Sequence, residues 1–500
     1  MQLKLLLENA GIPVVEELPG LEITAIVNDS RLAGPGALFF ALPGAKADGN
    51  NFIRQALEKG AAAVISGGEA AAELRSAFPK AVFLKAPDLQ AALSRCAANF
   101  YGHPSSRLKV FGITGTKGKT TTAYLLENIL RLGGARPGVI GTIDYRVDGR
   151  VLAPAANTTP LAHTLQELLA KMVAADALNA VLEVSSHALA LGRVEDVDFD
   201  CAVFTNLQRD HLDFHKDRES YFQAKARLFD LLERSKKSDK CAVINADDER
   251  AAGLIKRLKG KIKTVTFGID SGADFRADGV EVLENMTRFT LKAGGETLPV
   301  KLNLLGRHNI YNALAAIAAA VAGGVRLRAA VEGAQALVNV PGRLERVALG
   351  QDFAVFVDYA HTDAALENVL SNLKLMPHNR MITVFGCGGD RDRTKRGPMG
   401  EISCAQSDRV IVTSDNPRTE DQAQIFADIE KGIAGKFTNY EIISDRKAAI
   451  EKAIAQAVKG DIVLIAGKGH ETYQVLGNTT VHFSDVETAA EVIKARLENH

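Results

Sequence analysis

Along much of the chain a short apolar run ends in a cluster of Gly, Asp, Asn or His, and a helical pattern follows. Residues 110–114, 180–184, 201–205, 242–245 and 264–268 read as buried strands of this kind. Residues 354–357, 381–385, 409–413 and 461–465 repeat the pattern in the last third. Strands that alternate with helices form βαβ units and a mostly parallel sheet. In such a sheet the ligand crevice lies beyond the carboxyl ends of the strands, so the polar clusters there are the residues to read for chemistry. Residues 273–305 look like short β ribbons instead, and a helix is expected over 309–322.

A length of 500 residues corresponds to about three domains at roughly 150 residues each. The turn-rich Gly102-His103-Pro104-Ser105-Ser106 reads as a linker, and Val340-Pro341-Gly342 as a second hinge. The expected fold is therefore α/β in three domains. Residues 1–105 form an N-terminal α/β substrate domain. Residues 106–340 form a central P-loop-type domain, a mostly parallel sheet with helices on both faces. Residues 341–500 form a C-terminal Rossmann-like α/β domain. In the first, residues 21–27 alternate like a strand, and Gly34-Pro35-Gly36 turns the chain into the apolar run 37–42.

Sixty basic side chains balance sixty acidic ones, which speaks against a general nucleic-acid binder. No apolar run reaches the length of a membrane span, and the alanine-rich stretch 313–325 is too short. The first twenty residues lack the charged, apolar and small-residue regions of a secretion signal. The five cysteines form no CxxC pair, which fits a reducing cytosol better than a disulfide framework. A cytoplasmic monomer, without nucleic-acid or membrane partners, is the expectation.

The most specific motif is Gly112-Ile-Thr-Gly115-Thr116-Lys117-Gly118-Lys119-Thr120-Thr121, set between a strand and a helix. Glycines let successive N–H groups face an anion, and the helix N-terminus adds partial positive charge. Lys119 would reach the outer phosphates of ATP, and Thr120 would ligate Mg²⁺. The common phosphate-loop spacing needs Gly where Ile113 stands, so the motif is the shorter G-T-x-G-K-T.

That shorter loop, with further motifs in a fixed order, resembles the Mur ligase family, which also contains folylpolyglutamate synthetases. The shared segments include Asp29-Ser30-Arg31, Asn157-Thr158-Thr159-Pro160, Glu183-Val-Ser185-Ser-His187 and Thr205-Asn206-Leu-Gln-Arg-Asp210-His211-Leu-Asp213. Ala-Lys225-Ala-Arg-Leu-Phe, Gly306-Arg-His308-Asn309, Pro341-Gly-Arg343 and Asp358-Tyr-Ala-His361 follow. Gly386-Cys-Gly-Gly-Asp390-Arg391, Asp415-Asn416-Pro417-Arg418 and Gly467-Lys-Gly-His-Glu471 complete the series. The resemblance implies an ATP-dependent ligase that joins a carboxylate to an amine through an acyl phosphate. It points to the members that add meso-diaminopimelate to UDP-N-acetylmuramoyl-L-alanyl-D-glutamate, in peptidoglycan precursor synthesis.

By this resemblance Glu183, His211 and Lys225 join Lys119 as catalytic residues, with Thr120, Glu183, His211 and a carbamylated Lys225 around Mg²⁺. Read alone, Glu183 could also be a strand-end carboxylate paired with a lysine and His211 a capping or hydrogen-bonded histidine, while Lys225 reads as a solvated lysine. Asn309, Arg343 and Asp358 are placed around adenine, phosphates and ribose, although Asn309 could simply cap its helix. Ser30, Ala45, Lys46 and Ala47 fall to the uridine diphosphate end of the acceptor. Asn157, Thr158, Thr159, Ser185 and Arg193 fall nearer its reacting carboxylate, with Thr158-Thr159-Pro160 also readable as a helix start. Leu191 stands where a glutamine is expected. Arg391, Asp415, Asn416, Pro417, Arg418, Gly467 and Glu471 are implied to hold diaminopimelate. An arginine fork matches its extra carboxylate, which L-lysine lacks. An L-lysine-adding ligase, a folylpolyglutamate synthetase and, in another class, a P-loop NTPase or kinase are the alternatives.

Overall fold

The computed structural model describes residues 1–13, 18, 20–44, 47–208, 210, 214–283 and 285–498. Ala45, Lys46 and His211 lie outside them. The chain divides into two compact units, one of Met1–Arg276 with Tyr311–Ala334 and the other of Ala277–Ile310 with Gln335–His500.

The first unit opens with a four-stranded parallel sheet of β1 (Ala25–Val27), β2 (Ala37–Phe40), β3 (Ala63–Ser66) and β4 (Val82–Lys85), paired in that order. Helix Leu89–Phe100 begins where the Asp88 carboxylate accepts the amides of Gln90 and Ala91, satisfying two donors that no helical carbonyl can reach. It buries Ala92, Leu93, Cys96 and Ala97 in the same core as Leu38, Phe40, Ala63 and Ile65.

The larger sheet of this unit contains β5 (Lys109–Thr114), β6 (Pro137–Ile140), β7 (Asp144–Val147), β8 (Arg150–Pro154), β9 (Asn179–Glu183), β10 (Cys201–Phe204), β11 (Cys241–Asn245) and β12 (Lys263–Gly268). Their spatial order is β12-β11-β10-β5-β9-β6-β7-β8. All neighbours from β12 to β6 run parallel, while β6–β7 and β7–β8 are antiparallel. Strands β9, β10 and β11 are buried at every position, as expected of parallel strands covered on both faces. The order places β5 between β9 and β10, so the loops after these three strands emerge side by side.

The ribbons expected over 273–305 are β13 (Phe275–Val282), β14 (Thr287–Ala293) and β15 (Glu296–Leu302). Strands β14 and β15 form a hairpin turned by Gly294-Gly295, both at positive φ, the arrangement that matches strand twist in a two-residue turn.

The second unit carries β16 (Glu345–Arg346), β17 (Ala354–Asp358), β18 (Met381–Phe385), β19 (Arg409–Val412), β20 (Tyr440–Ile442) and β21 (Ile462–Ala466). They are ordered β16-β17-β21-β18-β19-β20, parallel throughout except β16 on β17. Successive residues of each strand feed opposite cores. Phe356, Phe385, Val412 and Leu464 pack on one face, and Val355, Val384, Ile411 and Ile465 on the other. The hairpin β22 (Tyr473–Leu476) and β23 (Thr479–His482) precedes the last helix, Asp485–Glu498. All five cysteines are buried and free. No described helix is long and apolar enough to cross a membrane.

Candidate active site

The phosphate loop follows β5, and its glycines are required by what packs on them. A Cβ on Gly115, at φ +151°, would lie 1.8 Å from Thr205 Oγ1. A Cβ on Gly118, at φ +87°, would lie 2.3 Å from Asn312 Oδ1. The end of β10 then ties the loop down. Thr205 Oγ1 donates to Lys117 O at 2.7 Å, and Asn206 receives the Lys117 amide at 3.0 Å. Helix Lys119–Leu132 starts directly after Gly118, so Lys119, Thr120 and Thr121 form its first turn. Lys119 Nζ donates to the carbonyls of Gly115 (2.9 Å) and Thr116 (3.1 Å).

Beside the loop, Glu183 closes β9 and is 1% exposed. It is not paired with a lysine. Its Oε2 accepts the hydroxyls of Thr120 and Thr142, both at 2.9 Å, and its Oε1 accepts the Thr142 amide at 2.9 Å. Thr142 also meets the Thr158 hydroxyl at 3.1 Å. Thr159 Oγ1 donates to Glu183 O at 2.8 Å and accepts the Ser185 amide at 3.1 Å. Arg193 Nη1 holds Thr159 O at 2.8 Å, and Tyr145 holds Asn157 O at 2.7 Å. Thr158-Thr159-Pro160 does not start a helix. The next one begins at Ala162, capped at Leu161 without a side-chain bond, while Thr159 is committed to the end of β9 and Thr158 to Thr142.

Oxygen donors dominate this corner. Magnesium is bound through one or two carboxylates, hydroxyls, phosphates and retained waters. Thr120 and Glu183 fit that description. Among the described residues no group of three His, Cys, Asp or Glu is gathered, here or elsewhere.

Lys225 overturns the reading of a solvated lysine. It lies on helix Arg218–Arg234, whose start is fixed by reciprocal bonds between Asp217 and Ser220. Phe222, Leu228, Phe229 and Leu232 turn one face of that helix inward, and Lys225 goes in with them, 1% exposed. Its Nζ donates to Gly115 O at 2.8 Å and lies 4.3 Å from the Tyr221 ring centre. Burial, reinforced by the Lys119 charge and only partly opposed by Asp210, pushes its pKa well below the ordinary lysine value.

Nearer the amino terminus, Ser30 and Ala47 follow β1 and β2, at the carboxyl end of their sheet. Ser30 Oγ donates to Gln55 Oε1 at 2.6 Å.

Helix Arg307–Ala322 begins before Asn309, which therefore does not cap it. Asn309 is buried and its Nδ2 donates to Leu305 O at 2.8 Å. Asp358, ending β17, accepts the Leu344 amide at 2.7 Å, and the Arg343 guanidinium lies 5.2 Å from the Tyr359 ring centre.

The loops after β18, β19 and β21 interlock. A Cβ on Gly389 would lie 1.9 Å from Pro417 O, and one on Gly467, at φ +118°, 2.8 Å from Asp415 Oδ2. Asn416 Nδ2 donates to Glu471 at 2.8 Å, and Lys468 Nζ reaches both Asn416 Oδ1 and Glu471 at 3.2 Å. Arg418, at φ +54°, donates from Nη1 to Gly389 O at 2.8 Å. A Cβ on Gly388 would meet Arg418 Nη1 at 2.9 Å and Arg391 Cγ at 3.8 Å, so this glycine separates the two arginines. Arg391 is exposed, with Nη1 on Asp390 O at 3.1 Å. All seven residues assigned to diaminopimelate thus lie on these three loops.

Three residues of these clusters were not anticipated. Thr142 follows an unremarked Ile-Gly at the end of β6, and the Gly141 beside it was the available signal, since its Cβ would sit 2.4 Å from Glu183. Tyr221 bonds Thr116 through its hydroxyl at 3.1 Å. Lys468 is 0% exposed within a glycine-flanked segment.

Comparison with known proteins gives matches along the chain. Residues 22–101 match the Mur ligase family catalytic domain, 113–320 the Mur ligase middle domain and 342–469 the glutamate ligase domain of Mur ligases. A Solibacter usitatus protein named UDP-N-acetylmuramoyl-L-alanyl-D-glutamate–2,6-diaminopimelate ligase is 45% identical over 482 residues, covering 96% of each chain. A Bacillus cereus protein of the same name is 44% identical over 480 residues, covering 96% of this chain and 95% of the other. A solved structure of a ligase of that name superposes with a TM-score of 0.69 at 34% identity, over 98% of this chain and 99% of that one.

Proposed function

The chain belongs to the Mur ligase family, and from that premise we propose that it joins meso-diaminopimelate to UDP-N-acetylmuramoyl-L-alanyl-D-glutamate with ATP. It is an ATP-dependent ligase that forms an amide bond. The observation that carries the reading within the molecule is the convergence of Lys119, Thr120, Glu183 and Lys225 at the ends of β5 and β9.

The glutamate side-chain carboxylate attacks the γ-phosphorus of ATP. A new O–P bond forms, the bridging P–O bond breaks and ADP leaves. The diaminopimelate amine then attacks the acyl carbon, loses a proton and displaces inorganic phosphate. Lys119 would leave the loop carbonyls for the γ-phosphate and stabilise its charge in the transition state. Gly115 to Thr121 would cradle the phosphates, while Asn309, Arg343 and Asp358 are assigned to the nucleotide from the resemblance. Thr158, Thr159, Ser185 and Arg193 would fix the acceptor carboxylate near Glu183.

Thr120, Glu183 and a carbamate on Lys225 are assigned to Mg²⁺, with His211 added from the resemblance alone. When bound, the ion offsets the repulsion between phosphate and carboxylate. The carbamate forms when the neutral Lys225 amine adds to CO₂ and releases a proton. The lowered pKa of Lys225 supports this reading. Ser30 and Ala47, with Ala45 and Lys46, are assigned to the uridine diphosphate. We place the enzyme in the cytoplasm as a monomer and assign its domains to 1–105, 106–340 and 341–500.

The test is ADP release with ATP and Mg²⁺, omitting each co-substrate in turn. The reading expects fast release only with both present. Release independent of the muramyl dipeptide would instead indicate an NTPase, whereas a requirement for that dipeptide excludes a folate ligase.

A further inference from the structure

Four N–H···O bonds converge on one guanidinium behind the diaminopimelate loops. Arg446 opens helix Arg446–Gln456 and is buried, and Asp485 opens the last helix and is 0% exposed. Arg446 Nε and Nη2 donate to the two Asp485 oxygens, each at 2.7 Å. The same guanidinium has two further bonds. Nη1 donates to Ser414 O and Nη2 to Ala466 O, both at 3.0 Å. Ser414 immediately precedes Asp415-Asn416-Pro417-Arg418, and Ala466 immediately precedes Gly467-Lys468-Gly469-His470-Glu471. From the other side, Gln474 Nε2 donates to Ser414 Oγ at 2.9 Å and Asp415 O at 2.7 Å.

We propose that Arg446, aimed by Asp485, is a positioning residue for the amino-acid substrate, holding the two loops that carry Arg418 and Glu471 in register. This rests on the reading of those loops as the diaminopimelate site. A planar guanidinium can present one edge to a carboxylate while other N–H groups reach two carbonyls on separate strands. A lysine ammonium in the same place could pair with Asp485 but has no fixed fork to span both strand ends. The last helix thereby bears on substrate selection through Asp485, without itself touching substrate.

The variants are Arg446→Lys and Asp485→Asn in the full chain, with Michaelis constants for diaminopimelate, ATP and the muramyl dipeptide, and a melting temperature for each. Loss of an interaction that holds substrate and transition state equally raises KM and leaves kcat in place. Arg446→Lys is expected to raise the diaminopimelate KM about tenfold or more. The other two KM values should stay within about twofold and kcat at saturation within about threefold. Asp485→Asn should shift the same KM in the same direction by less. Should Arg446→Lys fail to fold, Asp485→Asn carries the measurement. A lower melting temperature with an unchanged diaminopimelate KM overturns the proposal and leaves a purely structural ion pair. Failure of the wild type to use diaminopimelate overturns instead the reading beneath it.

Discussion

The two clusters of candidate site residues are held together in different ways. At the phosphate loop two lysines, Lys119 and Lys225, donate to the same carbonyl of Gly115, and Glu183 is held by threonines. Around the loops after β18, β19 and β21, charges are matched within the protein: Lys468 with Glu471, Arg446 with Asp485, Arg396 with Glu420 and Asp428. The first, with two lysine side chains converging on one carbonyl, suits an anionic ligand. The second suits a zwitterionic amino acid recognised by prepositioned groups, where flexibility would blur the distinction between similar substrates.

If this contrast holds, losses at the first cluster should strike kcat, and losses at the second should strike selection of the amino acid. The largest effect is expected from Lys119→Ala, which removes the positive charge proposed to act on the transferred phosphate. A fall in kcat of about 10²–10³-fold with an unchanged melting curve is the outcome to look for, at saturating ATP and Mg²⁺. Near-normal turnover would remove the loop from the chemistry.

Lys225→Ala comes next, at roughly 10²-fold in kcat in a folded protein. Its pH behaviour sharpens the point. The folded pKa of Lys225 lies well below that of an unfolded lysine. Between those two values the unfolded chain holds one more proton, so this group favours folding as pH rises. As pH falls towards the folded value, the amine protonates and can no longer hold CO₂. Wild-type activity should therefore fall on the acid side and in CO₂-free buffer, and recover with added bicarbonate. Indifference of the enzyme to bicarbonate would argue against the carbamate.

Arg418→Ala should act differently. Losing a buried charge partner costs ~2–5 kcal/mol, so kcat/KM for diaminopimelate should drop about 30-fold or more. ATP parameters should not move, and retention of full preference over L-lysine would contradict the role given to this arginine. The smallest effect is assigned to Thr142→Val, which removes one hydroxyl from Glu183 and Thr158. It should raise the Mg²⁺ concentration needed for half-maximal rate about tenfold and leave the diaminopimelate KM alone. A titration with no shift would mean that Thr142 only packs.

The same contrast explains what could be read without coordinates. Strand β18 falls on the expected residues, and β5, β9, β17 and β21 fall within one residue at either end. Parallel strands buried on both faces leave continuous apolar runs that are hard to mistake. Strands β6, β7 and β8 went unremarked, since Pro137-Gly-Val-Ile is short and opens on Pro-Gly, and Asp144-Tyr-Arg-Val and Arg150-Val-Leu-Ala-Pro each open on a charge. At the phosphate loop four of the candidate residues, Gly115, Gly118, Lys119 and Thr120, sit in one contiguous segment and announce themselves. Around the amino-acid loops the supporting groups come from far along the chain. Arg446 and Asp485 are separated by 39 residues, and each alone looks like an ordinary charge at a helix start. Lys225 falls between these cases. Its side chain is hidden by the surrounding helix face, a fact of packing that a pattern of Ala-Lys-Ala does not reveal.

The most direct test of the central claim is kcat/KM for meso-diaminopimelate and for L-lysine, measured side by side on the wild type. Both assays would contain ATP, Mg²⁺ and UDP-N-acetylmuramoyl-L-alanyl-D-glutamate. Prepositioned loops carrying Arg418 and Arg391 predict a preference for diaminopimelate of about 30-fold or more. Equal use of the two amino acids, or a preference for L-lysine, would contradict it.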